Sequence, residues 1–302
     1  MLGQDPAIDV RGLTKSFGGK LALSGLTMTV PRGEVFGFLG PNGAGKTTAV
    51  RLLLGLSRAS AGEGAVLGAP LGSRAARRRI GYLPELFRYQ GWLRAGEVLA
   101  LHGDLAKVQR SSLRDAIPEV LQTAGLAGLA NQRVDTFSKG MQQRLGLAVA
   151  LLGDPELVLL DEPTSALDPV GRHDVREILR RLKARGVTVF LNSHLLSEVE
   201  QICDRAAVVD HGRVVAQGSM AQLLQGPTVR IRCSGISQDD LGRLGHFGSI
   251  AREGEWITIA GPGEQDIPAI VAAIVALGGS IFAVDPGQQT LEERFLQLVE
   301  PG

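Results

Sequence analysis

The chain has 302 residues, 44% of them hydrophobic and 21% charged, with a formal net charge of +1. That length supports one large domain and a small one, each with its own core. The charge balance excludes an electrostatic basis for nucleic acid as a partner, so none is expected.

Cys203 and Cys233 are the two cysteines, and they have neither metal-ligand spacing nor the look of a disulfide framework. A reduced, intracellular setting is expected. The opening residues, MLGQDPAIDVRG, hold no apolar signal core, and no export is expected.

In chain order, the residues predict strands at Ala7–Val10, Leu21–Val30 and Glu34–Leu39, then a Gly-rich turn and a helix over Thr47–Leu56. Gly68–Arg79 reads as a loop leading into a basic helix, and Ile80–Leu83 as a strand stopped by Pro84. Glu85 to about Gly153 reads as helical. Leu157–Leu160 and Val187–Leu191 are continuous apolar runs, as in buried parallel strands. Between them lies an amphipathic helix, Gly171–Arg185, ended by Gly186. Ala206–Val209 and Arg213–Gln217 read as a hairpin around Asp210–Gly212.

The character changes after about Gly226. Strands are predicted at Thr228–Cys233, Trp256–Ala260 and Ile281–Val284, with helices at Ile267–Leu277 and Leu291–Val299. The uncharged run Ile267–Val284 is long enough to suggest a membrane span. Gly278, Gly279 and Ser280 break it, so it reads as a short core helix, a turn and a buried strand. A domain over 5–225, with a helical subdomain at about 85–155, and an α+β appendage over 226–302 are expected.

Gly40-Pro41-Asn42-Gly43-Ala44-Gly45-Lys46-Thr47 matches the phosphate-cradling pattern G-x-x-x-x-G-K-[ST], with Thr48 next in the following helix. Glycines let backbone N–H groups close round phosphate oxygens, and the helix presents its positive end to the same anion. Lys46 supplies a cation for the β- and γ-phosphates, and the Thr47 hydroxyl reaches Mg²⁺. The apolar run Leu157–Leu160 pushes Asp161 out at a strand end, where it would hold the metal. Glu162 beside it is the candidate base for an attacking water.

This pattern is common to several classes of P-loop protein. Phe137-Ser138-Lys139-Gly140-Met141-Gln142-Gln143-Arg144, a short helix ahead of Asp161-Glu162, separates them. It resembles the signature motif of ABC ATPases. Ser165-Ala166-Leu167-Asp168 resembles that family's D-loop, His194 its switch histidine, and Phe17 the aromatic that stacks on adenine. Taken alone, His194 reads as an ordinary strand-end histidine and Phe17 as a core aromatic. The resemblance spans about residues 5–222. It implies a P-loop NTPase (RecA-like) α/β core with an antiparallel β subdomain and a helical signature subdomain.

The same resemblance implies ATP and Mg²⁺ as cofactors, bound between two ATPase subunits head to tail. The Ser138–Gly140 turn would then face the ATP of the second subunit, and a transmembrane permease subunit would be a further partner at the cytoplasmic face of the membrane. Lys139 and Met141 stand where the commonest family pattern has Gly and Gln, and Glu85 stands where it has Gln. Glu85 would approach Mg²⁺ and water as a carboxylate, or cap the helical subdomain.

Lys46, Asp161, Glu162 and His194 together disfavour a non-catalytic nucleotide sensor. A soluble ABC ATPase acting on DNA or ribosomes is the competing class, but no coiled-coil arm, zinc cluster or second ATPase module is present. The Ser-Lys-Gly-Met signature, Tyr82-Leu83-Pro84-Glu85 and Thr290-Leu291-Glu292-Glu293-Arg294-Phe295 resemble the ABC-2 exporter type. Val229–Ser237 also resembles part of the ATPase that serves copper-site maturation of nitrous oxide reductase. The basic cluster Arg74, Arg77, Arg78 and Arg79 reads as a solvated helix face, or else as a contact for anionic lipid or an acidic partner.

Overall fold

The computed structural model describes residues 5–299 except 166, 225–226, 263 and 289. The chain divides into two compact units, the first ending at Gln217 and the second beginning at Gly218.

The first unit opens with two long strands, β1 (Ile8–Phe17) and β2 (Lys20–Val30), and then β3 (Val35–Leu39) and α1 (Lys46–Leu53). A strand pair, β4 (Ala61–Val66) and β5 (Ala69–Pro70), and a single helical turn, α2 (Arg74–Arg77), precede β6 (Ile80–Leu83). Three helices follow: α3 (Ala95–Leu105), α4 (Arg110–Thr123) and α5 (Lys139–Ala150). Strands and helices then alternate through β7 (Leu157–Asp161), α6 (Pro169–Ala184), β8 (Thr188–Asn192) and α7 (Leu196–Ile202). The hairpin β9 (Arg205–Asp210) and β10 (Arg213–Ser219) completes the series.

Two sheets result. One is antiparallel with order β2-β1-β4-β5. On β2, Leu26, Met28 and Val30 are buried in alternation with exposed neighbours, the period-2 pattern of a sheet with one face on a core. The other sheet has order β10-β9-β3-β8-β7-β6, and β9, β3, β8, β7 and β6 run parallel. Every residue of β3, β7 and β8 is buried, which is why these strands read as unbroken apolar runs. Phe190 packs between Phe36 and Phe38, with ring centroids 6.0 and 5.1 Å away. The carboxyl ends of β3, β7 and β8 lie side by side, the location where open α/β sheets bind ligands.

The second unit runs α8 (Met220–Leu223), β11 (Pro227–Ser234), α9 (Gln238–Leu244), β12 (Ser249–Glu253), β13 (Trp256–Ala260), α10 (Ile267–Ala276), β14 (Ser280–Gln288) and α11 (Leu291–Val299). Its antiparallel sheet has order β12-β13-β11-β14, the βαββαβ arrangement of ferredoxin-like folds. Val229, Ile231, Ile257 and Ile259 pack against Leu241, Leu244, Ile270 and Ile274 to form its core.

Several expected elements differ. The helix expected to reach Leu56 ends at Leu53, and Gly55 follows it with φ 67. The loop expected over Gly68–Arg79 contains β5, and β4 before it was not anticipated. Its residues Ala61-Gly62-Glu63-Gly64-Ala65 are poor strand formers, and pairing with β1 overrides that preference. The C-terminal part holds α8, α9 and β12 beyond the expected elements. The expected boundary near Gly226 falls outside the described residues, as does Ala166 of the D-loop. Among the described residues no helix is long and apolar enough to cross a membrane.

Candidate active site

β3 ends at Leu39, and the turn from Gly40 to Gly45 carries the chain into α1. Gly45 has φ 101, and a Cβ there would lie 2.4 Å from the Ala22 carbonyl oxygen, so only glycine fits. Lys46 is buried, and its Nζ donates to the carbonyl oxygens of Gly40 (2.6 Å) and Pro41 (3.2 Å). Burial pushes its pKa below the usual lysine value, against the opposing pull of the Glu162, Asp161 and Glu85 carboxylates. Ala44 is buried and ties the turn down: its N–H donates to Pro41 O and its carbonyl accepts from Gly212 N. Asn42, Gly43 and Thr47 are exposed and Thr48 is half-buried.

Phe17, at the end of β1, is 51% exposed, an unusual state for a large aromatic. It shares a cleft of about 310 Å³ with Lys20, Asn42, Lys46, Thr47 and Thr48. An exposed ring beside a phosphate cradle can take a flat base, so the cleft fits a nucleotide.

Asp161 ends β7 opposite Asn192 on β8, and Asn192 Nδ2 donates to its carboxylate. Burial raises the Asp161 pKa, Glu85 and Glu162 add to the rise, and Asn192 and Lys46 oppose it. Glu162 follows with φ 52, a left-handed backbone that is strained for a residue with a Cβ. Its N–H donates to Asn192 O at 2.9 Å. His194 lies two residues past the end of β8, and its Nδ1 is 2.8 Å from Glu162 Oε2. Glu85 is exposed just beyond β6, close enough to act electrostatically on both Lys46 and Asp161.

Among the described residues no group of three or more His, Cys, Asp or Glu could form an all-protein metal cage. Magnesium does not need one, because it takes one or two carboxylates and completes its shell with water and substrate phosphates. A carboxylate made less acidic by burial, with further acids beside it, fits such a cation, so Asp161, with Thr47 and Glu85, could hold it.

The signature turn lies elsewhere. Ser138 caps α5, its Oγ accepting from Met141 N at 3.2 Å. Asp168 caps α6, its Oδ1 accepting from Gly171 N at 2.8 Å. Ser138, Gly140, Arg144 and Asp168 share a cleft of about 370 Å³. None of its lining residues belongs to the Phe17–Lys46 cleft. The chain thus brings Phe17, Lys46 and the turn into one cleft, places Asp161, Glu162 and Glu85 within electrostatic reach of Lys46 and His194 against Glu162, and lines a different cleft with Ser138, Gly140 and Asp168. Sequence reasoning missed Asn192 as the partner of Asp161. Its one signal was a polar residue ending an apolar strand just before Ser193-His194.

The family described as ABC transporter matches residues 23–165. An uncharacterized ABC transporter ATP-binding protein of Nostoc sp. is 43% identical over 288 residues, covering 93% of this chain and 84% of that protein. The Nod factor export ATP-binding protein I of Rhizobium sp. is 45% identical over 221 residues, 72% of this chain and 73% of that one. A solved ATP-binding subunit of an ABC transporter is similar at TM-score 0.64 and 29% identity, over 72% of this chain and 91% of its own. A dimeric ATP-binding cassette in a post-hydrolysis state with ADP and Pi is similar at TM-score 0.63 and 25% identity, over 70% and 98%. Through these likenesses, this chain belongs to the ATP-binding subunits of ABC transporters and is an ATPase.

Proposed function

We propose that this chain is the motor of an ABC exporter, closing head to tail on a second ATPase subunit with ATP between them. The observation that carries this reading is Gly140. Among the described residues a Cβ at this position would meet nothing closer than 3.9 Å, so crowding by them gives no reason for glycine. Glycine in a helix costs up to about 1 kcal/mol relative to alanine. The missing side chain therefore makes room for something outside the chain, and Ser138 and the positive end of α5 beside it suit an anion. A nucleotide carried by a second copy is that anion.

On this reading Phe17 stacks on adenine, and the turn from Gly40 through Pro41, Asn42, Gly43, Ala44 and Gly45 to Lys46, Thr47 and Thr48 cradles the phosphates. Asp161, Thr47 and Glu85 hold Mg²⁺, which supplies charge neutralisation on the phosphate oxygens. Glu162 accepts the proton of the attacking water, and His194 steadies that carboxylate and reads the γ-phosphate. Hydrolysis breaks the bond to the γ-phosphorus and leaves ADP and phosphate. Asp168 belongs to the D-loop facing the second subunit. A separate transmembrane permease subunit receives the motion, with this chain peripheral at the cytoplasmic face. The likeness to a Nod factor export protein supports the exporter direction.

The test mixes a Ser138→Arg chain with a Lys46→Ala chain. Each heterodimer should regain one intact site, and ATP-dependent dimerisation absent from either variant alone should return. No recovery at any ratio would remove the sandwich.

A further inference from the structure

Arg144 sits where two helices from different parts of the first unit meet. Its Nη1 lies 3.2 Å from Asp174 Oδ2 on α6 and 3.3 Å from the Gly125 carbonyl oxygen, just past α4. One guanidinium nitrogen thus reaches a carboxylate and a carbonyl together. Ser138 lies six residues ahead of Arg144, and Asp168 six ahead of Asp174. The bridge therefore crosses about 9 Å inside each helix, measured from its cap. Beyond the bridge the two caps stay in contact with one shared cleft. Arg172 Nε donates to Leu167 O at 3.1 Å, holding the segment ahead of Asp168 against α6. Leu167 is buried, and among the described residues its side chain and Ser138 Oγ are the nearest neighbours of the space left open at Gly140.

We propose that Arg144 is a positioning residue: its bridge to Asp174 holds the Ser138-capped and Asp168-capped helix ends at one spacing, as a single surface that meets the nucleotide of a second copy. The pair is partly exposed, with side chains 22% and 38% accessible. Pairs of this kind add little to stability, so the geometry they fix is the larger effect. Arg144 and Asp174 line the signature cleft and not the Phe17–Lys46 cleft, and loss of the bridge should leave nucleotide binding by one copy intact. The inference rests on the sandwich reading given above.

The experiment uses the full chain in three forms: Arg144→Ala, Asp174→Ala, and the reversed pair Arg144→Asp with Asp174→Arg. ATP affinity of the monomer at low protein concentration and ATP-dependent dimerisation by sedimentation are measured on each. Both single variants should bind ATP as the parent does while dimerising about tenfold more weakly, and the reversed pair should recover most of the loss. Arg144→Lys, keeping charge without the planar fork, should fall between, and it serves if Arg144→Ala does not fold. Dimerisation unchanged in folded single variants overturns the proposal, as does a loss the reversed pair fails to recover. If Ser138→Arg also leaves dimerisation intact, the sandwich itself falls. If Ser138→Arg abolishes it and Arg144→Ala does not, only the positioning role falls.

Discussion

His194 Nδ1 stands 2.8 Å from Glu162 Oε2, with the imidazole side chain 52% exposed and the carboxylate only 9% exposed. The contact is close without the directionality of a hydrogen bond, and no donor among the described residues completes one to that oxygen. Glu162 also keeps a strained backbone, held by its N–H bond to Asn192 O and by Ser165 Oγ donating to its carbonyl. A strained, enclosed carboxylate beside an imidazole is the geometry behind the general-base role proposed for Glu162.

Glu162→Gln should therefore bind ATP while hydrolysing it roughly 10²-fold or more slowly. An ATP-bound dimer should accumulate, visible by size-exclusion chromatography with ATP and Mg²⁺. A variant that stays monomeric and turns over normally would move the base to another residue.

Lys46→Ala should weaken ATP binding by about 1.5–3 kcal/mol, roughly 10- to 150-fold, through loss of a charge-assisted hydrogen bond. Equilibrium binding of ATP to the purified chain measures this. An unchanged affinity would show that the ammonium, which bonds to Gly40 and Pro41 carbonyls in this structure, does not turn to the phosphates.

Asp161→Asn should stabilise the nucleotide-free protein at neutral pH while impairing Mg²⁺-dependent ATP binding. Burial raises the folded-state pKa of Asp161 above its unfolded value. The folded chain therefore favours the protonated form, and ionisation costs stability as pH rises through that raised pKa. The asparagine variant lacks this cost, so its advantage in melting temperature should appear at neutral pH and vanish below about pH 4, where both carboxyl states are protonated. Melting curves across pH 3.5–8 decide it, and an advantage that persists at the acid end would contradict the assignment.

Gly140→Ala should raise the monomer's stability and weaken the dimer. Alanine gains up to about 1 kcal/mol in a helix, a shift of roughly 2–4 °C in Tm for a domain this size. The same methyl enters the space assigned to the partner's nucleotide. Calorimetry and ATP-dependent sedimentation on one sample test both halves, and a dimer as tight as the parent's would leave the glycine unexplained.

The turn from Gly40 to Lys46, the strand end at Asp161-Glu162 and the Ser138 cap were legible in the sequence as local geometry because each is built from consecutive residues. A cradle made of successive backbone N–H groups, or a helix cap three residues from its donor, has its geometry set by local order. The buried strands β3, β7 and β8 were legible for a related reason: both faces are covered, so no polar alternation interrupts them. β4 and β12 left no such trace. β4 is rich in glycine and alanine, and β12 (Ser249–Glu253) is an edge strand with exposed residues, so each is specified by its partner strand. Tertiary structure alone decided that Asn192 holds Asp161, that His194 faces Glu162, and that Arg144 on α5 reaches Asp174 on α6. These pairs are some thirty residues apart, and a hydrogen bond or ion pair between distant residues exists only once packing has placed their backbones within side-chain reach.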